Sequence, residues 1–200
     1  MGLRDAVRGD GFIKLLGEDL GHRSVRDHLE AGIGYIPEDR KKDGLVAEFT
    51  ISENFMLNGS YGAPFAKGLN IDLASRDKVA ANLIKRFDVR TQSAETPAGK
   101  LSGGNQQKVV VARELSRDVK LLIAAQPTRG VDVGSIEFIH EQIMAERNAG
   151  KAVILISTEL DEVLALADRI AVMYRGKIVG IVDATTSREN LGKMMAGVAA

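Results

Sequence analysis

A serine followed by two glycines and three polar residues is the feature of this sequence best suited to chemistry. The motif Leu101-Ser102-Gly103-Gly104-Asn105-Gln106-Gln107 opens a stretch predicted to be helical to about Arg117. Glycines let a ligand approach the backbone closely, and the first N–H groups of a helix carry partial positive charge without intrahelical acceptors. This combination suits a phosphate group. By itself, the motif leaves open a glycine-rich helix start that binds nothing.

Three other segments place polar residues directly after a predicted strand. They are residues 34–40, 120–132 and 154–162. In open α/β sheets, ligands bind at the carboxyl ends of parallel strands. We therefore expect these segments and the serine-glycine motif to share one edge of a sheet and to form a single site.

The elements that would position this site alternate between apolar runs and helical patterns. Strands are predicted at 33–36, 121–125, 152–157 and 170–174, and their nearly continuous apolar character predicts burial on both faces. Helices are predicted at 24–32, 134–148 and 159–167. This order predicts a parallel α/β sheet. Near the end, 175–177 predicts a hairpin turn, and Ser187 is expected to cap a last helix.

The middle of the chain has a different pattern. Thr50-Ile51-Ser52-Glu53 is a capping box, and Asp72 is expected to cap a second helix. The apolar residues expected to point inward from this second helix are Leu73, Leu83, Ile84 and Phe87. Residues 50–117 show no strand pattern, which predicts an all-helical subdomain inserted between two parts of an α/β core, 1–49 and 118–200.

Composition limits the classes of partner. The 200 residues include 27 basic and 27 acidic side chains, so nothing in the net charge indicates nucleic acid or an anionic membrane as a partner. The chain has no cysteine, which excludes disulfides and thiolate zinc sites. No apolar run reaches the roughly 18 residues of a membrane-spanning helix.

Taken together, these motifs resemble a known family. The serine-glycine motif, Pro127-Thr128-Arg129-Gly130 and residues 35–40 resemble the second nucleotide-binding cassette of ribose-type sugar importer ATPases of the ABC family. Residues 125–130 resemble still more the subgroup that serves nucleoside and basic-membrane-protein importers. The resemblance implies a P-loop NTPase-like ABC cassette with a parallel sheet and a helical insertion subdomain.

The resemblance also implies partners and a location. Such cassettes occur in tandem on cytosolic subunits at the inner face of the cell membrane. ATP with Mg²⁺ is bound between this cassette and the first cassette of the same or a sister chain. Transmembrane permease subunits, and indirectly a solute-binding protein, complete the importer. The helical insertion would form the surface that faces the permease.

Site residues follow from the resemblance by position. Ser102, Gly103 and Gly104 would contact the γ-phosphate of ATP held by the opposite cassette, with Asn105 and Gln106 completing the nucleotide-binding set. Asp132 matches the D-loop aspartate that bridges the two cassettes, and Glu38 stands at the Q-loop glutamine position. These roles are implied by the family and not by the spacing itself.

The sequence departs from the family pattern at the catalytic positions. Ala125 stands at the Walker B aspartate position, so no metal ligand is predicted there. Gln126 replaces the catalytic glutamate, and a neutral amide can orient water but cannot act as its base. Thr158 stands at the switch-histidine position, and its hydroxyl does not titrate near neutrality. The half-site built on this cassette is therefore predicted to be degenerate, while its signature can still serve a partner.

No P-loop motif is present in the 200 residues. Four Gly-Lys pairs occur, and none is followed by serine or threonine. We expect that the chain begins after the P-loop with its strand and helix, is marginally stable alone, and does not hydrolyse ATP unaided. Two alternatives stay open: a regulatory or interaction module that lost ATP binding, and a gene fragment with no independent function.

Other polar residues receive structural interpretations. Arg40-Lys41-Lys42 is expected to be a solvated turn, with the alternative that, beside Glu38, it meets a nucleotide base or the permease. The three histidines, His22, His28 and His140, have no second ligand at metal-binding spacing, so they are expected to be solvated or packed.

Overall fold

The computed structural model describes residues 12–21, 23–68 and 70–198. The chain divides into two compact units, the first ending at Ile154 and the second beginning at Leu155. The predicted division into 1–49, 50–117 and 118–200 concerns subdomains within a cassette and stays a prediction. His22 lies outside the described residues. Within them, no helix has the length and apolar character needed to cross a membrane.

The first unit combines short strands with helices of up to 16 residues. In chain order its elements are β1 (Lys14–Leu15), β2 (Glu18–Asp19), α1 (Val25–Glu30), β3 (Ile33–Ile36), a π-helical turn (Arg40–Gly44), α2 (Ile51–Met56), β4 (Ala66–Lys67), β5 (Asn70–Ile71), α3 (Leu73–Arg86), a 3-10 turn (Ala98–Lys100), α4 (Gly103–Leu115), β6 (Leu121–Ala125), α5 (Val133–Asn148) and β7 (Ala152–Ile156), which begins in this unit.

The sheet that positions the candidate site has the order β3-β6-β7. β3 and β6 run parallel, with Ile33 opposite Leu121 and Ile36 opposite Ala124. The prediction of burial on both faces is confirmed for most of these two strands. It is wrong for β7, where exposure alternates along the strand and Ile154 is 48% exposed. Alternation of this kind marks a strand that is covered on one face.

Helix α4 forms the centre of the first unit. From Gly104 to Leu115 all its residues except Asn105 are buried, including several with polar or charged side chains. It contacts α2, α3, α5 and β3. A helix covered on all sides is held rigidly, so the position of its N-terminus is well defined relative to the sheet.

The segment between β3 and α4 contains helices α2 and α3. The predicted capping box of α2 is confirmed: Thr50 Oγ1 accepts from the Glu53 amide at 3.2 Å, and the Glu53 carboxylate accepts from the Thr50 amide at 2.8 Å. Asp72 caps α3 as predicted, and Leu83 and Phe87 are buried. Leu73 is 57% exposed, so the prediction that it points inward is wrong.

The prediction of no strand in this segment is also wrong. β4 and β5 form an antiparallel ladder of two residues each, pairing Ala66 with Ile71 and Lys67 with Asn70. A ladder this short leaves no period-2 pattern in the sequence, which is why the pattern did not reveal it.

The second unit contains a hairpin between two helices. Its elements are α6 (Leu160–Leu166), β8 (Arg169–Tyr174), β9 (Lys177–Asp183) and α7 (Arg188–Met195). The predicted hairpin is confirmed, and its turn residues Arg175 and Gly176 have φ of 47° and 78°, the positive values that tight hairpins use. Ser187 caps α7 as predicted.

The core of the second unit is small and lies on one face of the hairpin. Ile170, Val172 and Leu191 form this core. The prediction that 170–174 is buried on both faces within the parallel sheet is wrong, because β8 pairs antiparallel with β9 in a sheet of its own. Met173, on the opposite face of β8, is 64% exposed.

Candidate functional site

The serine-glycine motif forms the N-terminus of α4, as predicted. Ser102 is the N-cap residue, with extended backbone angles of −60° and 158°. Its Oγ accepts hydrogen bonds from the Asn105 side-chain Nδ2 at 2.9 Å and from the Asn105 amide at 3.4 Å. Ser102 is exposed. The helix therefore begins at the protein surface, as a helix start that binds an anion must.

Gly104 brings this helix start against a second one. Asp132 caps α5, where its carboxylate accepts from the Ser135 amide at 3.0 Å and from Ser135 Oγ at 2.9 Å. These bonds, the hydroxyl bond first, hold the pKa of Asp132 below its usual value. A Cβ atom on Gly104 would collide with the Asp132 carboxylate and the Ser135 hydroxyl. The structure thus brings two predicted site residues, Gly104 and Asp132, into contact.

Asn105 and Gln106 bond their side chains to other parts of this chain. Asn105 Oδ1 accepts from the Arg90 amide at 2.8 Å, which joins the helix start to the preceding loop. Gln106 is 5% exposed, and its Nε2 donates to the Leu101 carbonyl at 3.1 Å. Both side chains therefore shape the loop that precedes α4. Their contact with a nucleotide stays a prediction.

Glu38 is held by the turn that follows β6. Its Oε1 accepts from Arg129 Nη1 at 2.5 Å, and both side chains are more than half exposed. Two residues further on, the Arg40 guanidinium donates to the Arg129 carbonyl at 2.7 Å and to the Gly130 carbonyl at 3.1 Å. Arg40 is half-buried, so the prediction of a solvated turn is wrong for this residue. Lys41 and Lys42 are exposed, as that prediction requires.

The end of β6 carries two positions that the resemblance implies are catalytic. Ala125, at the predicted Walker B position, is buried, and its methyl group cannot bind a metal. Gln126 has a φ of 48°, which is uncommon for a residue other than glycine and is enriched at functional turns. The turn is fixed to α4 by a buried hydrogen bond from Gln107 Nε2 to the Pro127 carbonyl at 2.7 Å. No group of three or more metal-binding side chains occurs within the described ranges.

Thr158 belongs to the second unit. It lies between β7 and α6 and is exposed. The neighbouring Ser157 Oγ accepts from the Glu159 amide at 3.0 Å, which fixes the backbone of this short turn. A role for Thr158 at the nucleotide stays a prediction.

Sequence reasoning missed the residues that fix α4, the helix that begins with the serine-glycine motif and is called the signature helix below, to its surroundings. Buried Glu114 accepts from Arg113 Nε at 3.0 Å, from Asn58 Nδ2 at 2.7 Å and from the Tyr35 amide at 3.3 Å. These residues lie up to 79 positions apart in the chain. Without an alignment to show covariation, the sequence contains no signal for such pairs.

A helix start with a serine and two glycines, set beside the turn after a central strand, defines an ABC-type ATPase cassette. Comparison with known proteins agrees: residues 3–129 match the ABC transporter family, and the chain belongs to that family.

Relatives show where in this family the chain lies. It is 47% identical over 98% of its length to the guanosine import ATP-binding protein NupO of Bacillus subtilis. It is 46% identical over 94% of its length to the nucleoside import ATP-binding protein NupA of Lactococcus lactis. Identity to the ribose import ATP-binding protein RbsA of Hahella chejuensis is 41% over 93%. The chain spans 37–39% of the length of these relatives.

Solved structures confirm the fold. The dimeric cassette MJ0796 bound to ADP and Pi superimposes with a TM-score of 0.69 at 20% identity, covering 86% of this chain and 73% of that one. The predicted fold class, an α/β ABC cassette with a parallel sheet and helices, is therefore confirmed.

Proposed function

We propose that this chain is part of the ATP-binding subunit of an ABC importer and supplies its signature helix to ATP that another cassette holds. The observation that carries the proposal is the position of the N-terminus of α4. Ser102 is exposed there, and Gly104 packs against the Asp132 carboxylate. A buried helix that presents its N-terminal N–H groups is a preorganised anion site. No P-loop motif occurs in the sequence, so the phosphates would be gripped by a different segment.

The half-site on this cassette is proposed to be inactive. Ala125 cannot hold a water of a magnesium ion, and the Gln126 amide cannot accept the proton of an attacking water. Glu38 is a carboxylate near this turn, and Arg129 Nη1 pairs with it at 2.5 Å. Bound Mg²⁺ would supply charge neutralisation for the phosphates in the composite site, and the described residues contain no group of three or more metal-binding side chains to hold it.

The transported solute is proposed to be a nucleoside or a simple sugar. Relatives at 41–47% identity are named for guanosine, nucleoside and ribose import. The higher identity to the nucleoside importers favours a nucleoside. The chain is then expected to act at the cytoplasmic face of the membrane, with permease subunits and a solute-binding protein that recognise the solute.

The permease would face a cleft whose walls come mostly from residues 55–86. This cleft of about 910 Å³ lies among α1, the loop after α2, α3 and the end of α4. Exposed Lys78 and Arg86 line one side, and Tyr61 lies in its loop wall beneath Arg26, 3.8 Å from the ring centroid. Replacing Lys78 and Arg86 by glutamate in the importer should reduce solute uptake while leaving nucleotide binding unchanged.

A fluorescent ATP analogue tests the proposal directly. The purified chain is titrated alone and then together with an ABC cassette that carries a complete P-loop. We expect weak binding to the chain alone, and tighter binding and ATP hydrolysis in the mixture. Turnover by the chain alone that disappears in Gln126→Ala would overturn the assignment of an inactive half-site. No effect of the chain on the P-loop cassette would favour a regulatory module instead.

A further inference from the structure

Arg40 connects three segments that are distant in sequence. Its guanidinium donates to the carbonyls of Arg129 and Gly130 at 2.7 Å and 3.1 Å. Its backbone starts the π-helical turn, where its own carbonyl accepts from the Leu45 amide at 2.9 Å. The planar fork of arginine suits this arrangement because its two terminal nitrogens can reach two neighbouring acceptors at once.

The third segment is the start of the signature helix. A Cβ atom placed on Gly103 would lie 2.7 Å from Arg40 Nη2 and 3.0 Å from the Gly130 carbonyl oxygen. The guanidinium therefore occupies the space that a side chain at position 103 would need. A side chain at position 103 would require the flexible end of Arg40 to move, and the Gly130 carbonyl lies at the close limit of Cβ contacts.

Residues 38–40 and 129–130 are joined by two sets of hydrogen bonds. While the Arg40 side chain binds the backbone of residues 129 and 130, the Arg129 side chain binds the carboxylate of Glu38. Asp39, between the two, accepts from the amides of Lys41 and Lys42 at 3.0 Å and 3.2 Å and so fixes the direction of the turn. Residues 38–40 and 129–130 are thus held together by contacts running in both directions.

The position of Arg40 carries an electrostatic and a desolvation cost. A cation beside a helix N-terminus opposes the helix dipole. Among the described residues, Arg40 Nε is buried and has no hydrogen-bond partner. Proteins keep unfavourable contacts of this kind mainly at functional sites. The positive charge of Arg40 at this point would attract a phosphate.

We infer that Arg40 is a positioning residue that holds the N-terminus of the signature helix against the turn at 127–130. It does so by bonding the turn's carbonyls and filling the space beside Gly103. The inference rests on the proposed function for its meaning in ATP hydrolysis, but the contact itself can be tested on this chain alone.

Amide hydrogen exchange measured by NMR tests the contact on the whole chain. The reporting amides are those of Gln106, which donates to the Ser102 carbonyl, and Arg129, which donates to the Gln126 carbonyl. The Phe87 amide, bonded to the Leu83 carbonyl in another part of the unit, serves as the reference. We expect Arg40→Ala to speed exchange about tenfold at the reporters and to leave Phe87 unchanged.

Two matched variants sharpen the result. Arg40→Lys keeps the charge but cannot bridge two carbonyls in fixed geometry, so it should give most of the Arg40→Ala effect. Lys41→Ala removes the neighbouring exposed cation and should leave exchange unchanged. Equal acceleration at Phe87 and the reporters would show that Arg40 only supports the fold, and unchanged reporters would show that it positions nothing; either result overturns the inference.

The mixture with a P-loop cassette separates this inference from the proposed function. Because ATP is held by the partner, Arg40→Ala should lower kcat about tenfold and change the KM for ATP less than about twofold. A mixture in which the unaltered chain has no effect would remove the proposed function, while the exchange data would still decide the role of Arg40. A large rise in KM with unchanged kcat would contradict the positioning role.

Discussion

Gly104 lies so close to Asp132 that a methyl group on its Cα would collide with the Asp132 carboxylate and the neighbouring Ser135 hydroxyl. The N-termini of α4 and α5 are therefore in direct contact, and the signature glycine is required by packing within this chain. Its role in admitting a phosphate comes in addition to that requirement.

Gly104→Ala should therefore destabilise the protein by about 1–3 kcal/mol, the usual cost of overpacking. Gly134, at the start of α5, is the matched control, since a Cβ there meets nothing closer than the Asp132 carboxylate at 3.7 Å. Gly134→Ala should be neutral or stabilising by up to about 1 kcal/mol, because alanine favours a helix more than glycine. Urea unfolding of both variants measures the difference, and equal stability would contradict the crowding at Gly104.

Ser102 offers a test of anion recognition that leaves the helix cap in place. Aspartate and asparagine are both good N-cap residues, so either should keep α4 intact. Ser102→Asp places a negative charge where the γ-phosphate is proposed to bind, and it should reduce ATP hydrolysis in the P-loop mixture more than about tenfold. Ser102→Asn should stay within about threefold of the unaltered chain. Full activity in Ser102→Asp would exclude a phosphate at this helix start.

Glu114 is predicted to be essential for stability. Its carboxylate is 2% exposed and accepts from Arg113, Arg117, Asn58 and the Tyr35 amide. Glu114→Ala leaves buried Arg113 without its anionic partner, and breaking a buried ion pair in this way costs about 3–5 kcal/mol.

The matched control for this variant is an exposed glutamate, Glu141 on α5. Glu141→Ala should change stability by less than about 0.5 kcal/mol, as is usual for surface substitutions. The free energies of unfolding are compared in urea at neutral pH. A loss at Glu114 no larger than that at Glu141 would show that the buried carboxylate network contributes nothing to stability.

Asp72 should make the stability of the helical segment depend on pH in acid. The hydrogen bond from Lys67 Nζ at 2.7 Å, followed by the bond from the Ser75 amide, lowers the pKa of Asp72 from 3.8 to about 2. Because the folded pKa is the lower one, its contribution is complete above about pH 4 and is lost as pH falls toward 2.

Thermal unfolding of the unaltered chain and of Asp72→Asn between pH 2 and pH 6 measures this contribution. Asparagine can still cap α3 but cannot pair with Lys67, so the variant should have the lower Tm above about pH 4. The two values of Tm should converge as pH approaches the folded pKa of about 2. A difference in Tm that is the same at every pH would show that the charge of Asp72 is not involved.

Predictions from the sequence were most accurate for helix starts, which depend on residues close together in the chain. Caps at Ser24, Thr50, Asp72 and Ser187 were all found from a polar residue placed before an apolar periodic run, and the structure confirms each. The helix start at Ser102 was found in the same way. Errors occurred where surroundings decide burial, as at Leu73, at β7 and at β8.

Arg40 shows most clearly which contacts cannot be predicted from the sequence. Next to two lysines it has the composition of a solvated turn, and for Lys41 and Lys42 that interpretation holds. Its own partners are 89 and 90 positions away. No local pattern distinguishes an arginine that bonds remote carbonyls from one that faces water.

The sequence by itself determined most of the helix starts, the strands of the β3-β6-β7 sheet and the hairpin turn, because each depends on residue types a few positions apart. Tertiary structure alone decided which of these meet: Gly104 against Asp132, Glu38 with Arg129, and Arg40 beside Gly103. The physical reason is that caps and turns are satisfied within one or two helical turns of chain, whereas close packing and side-chain hydrogen bonds depend on what folding brings alongside.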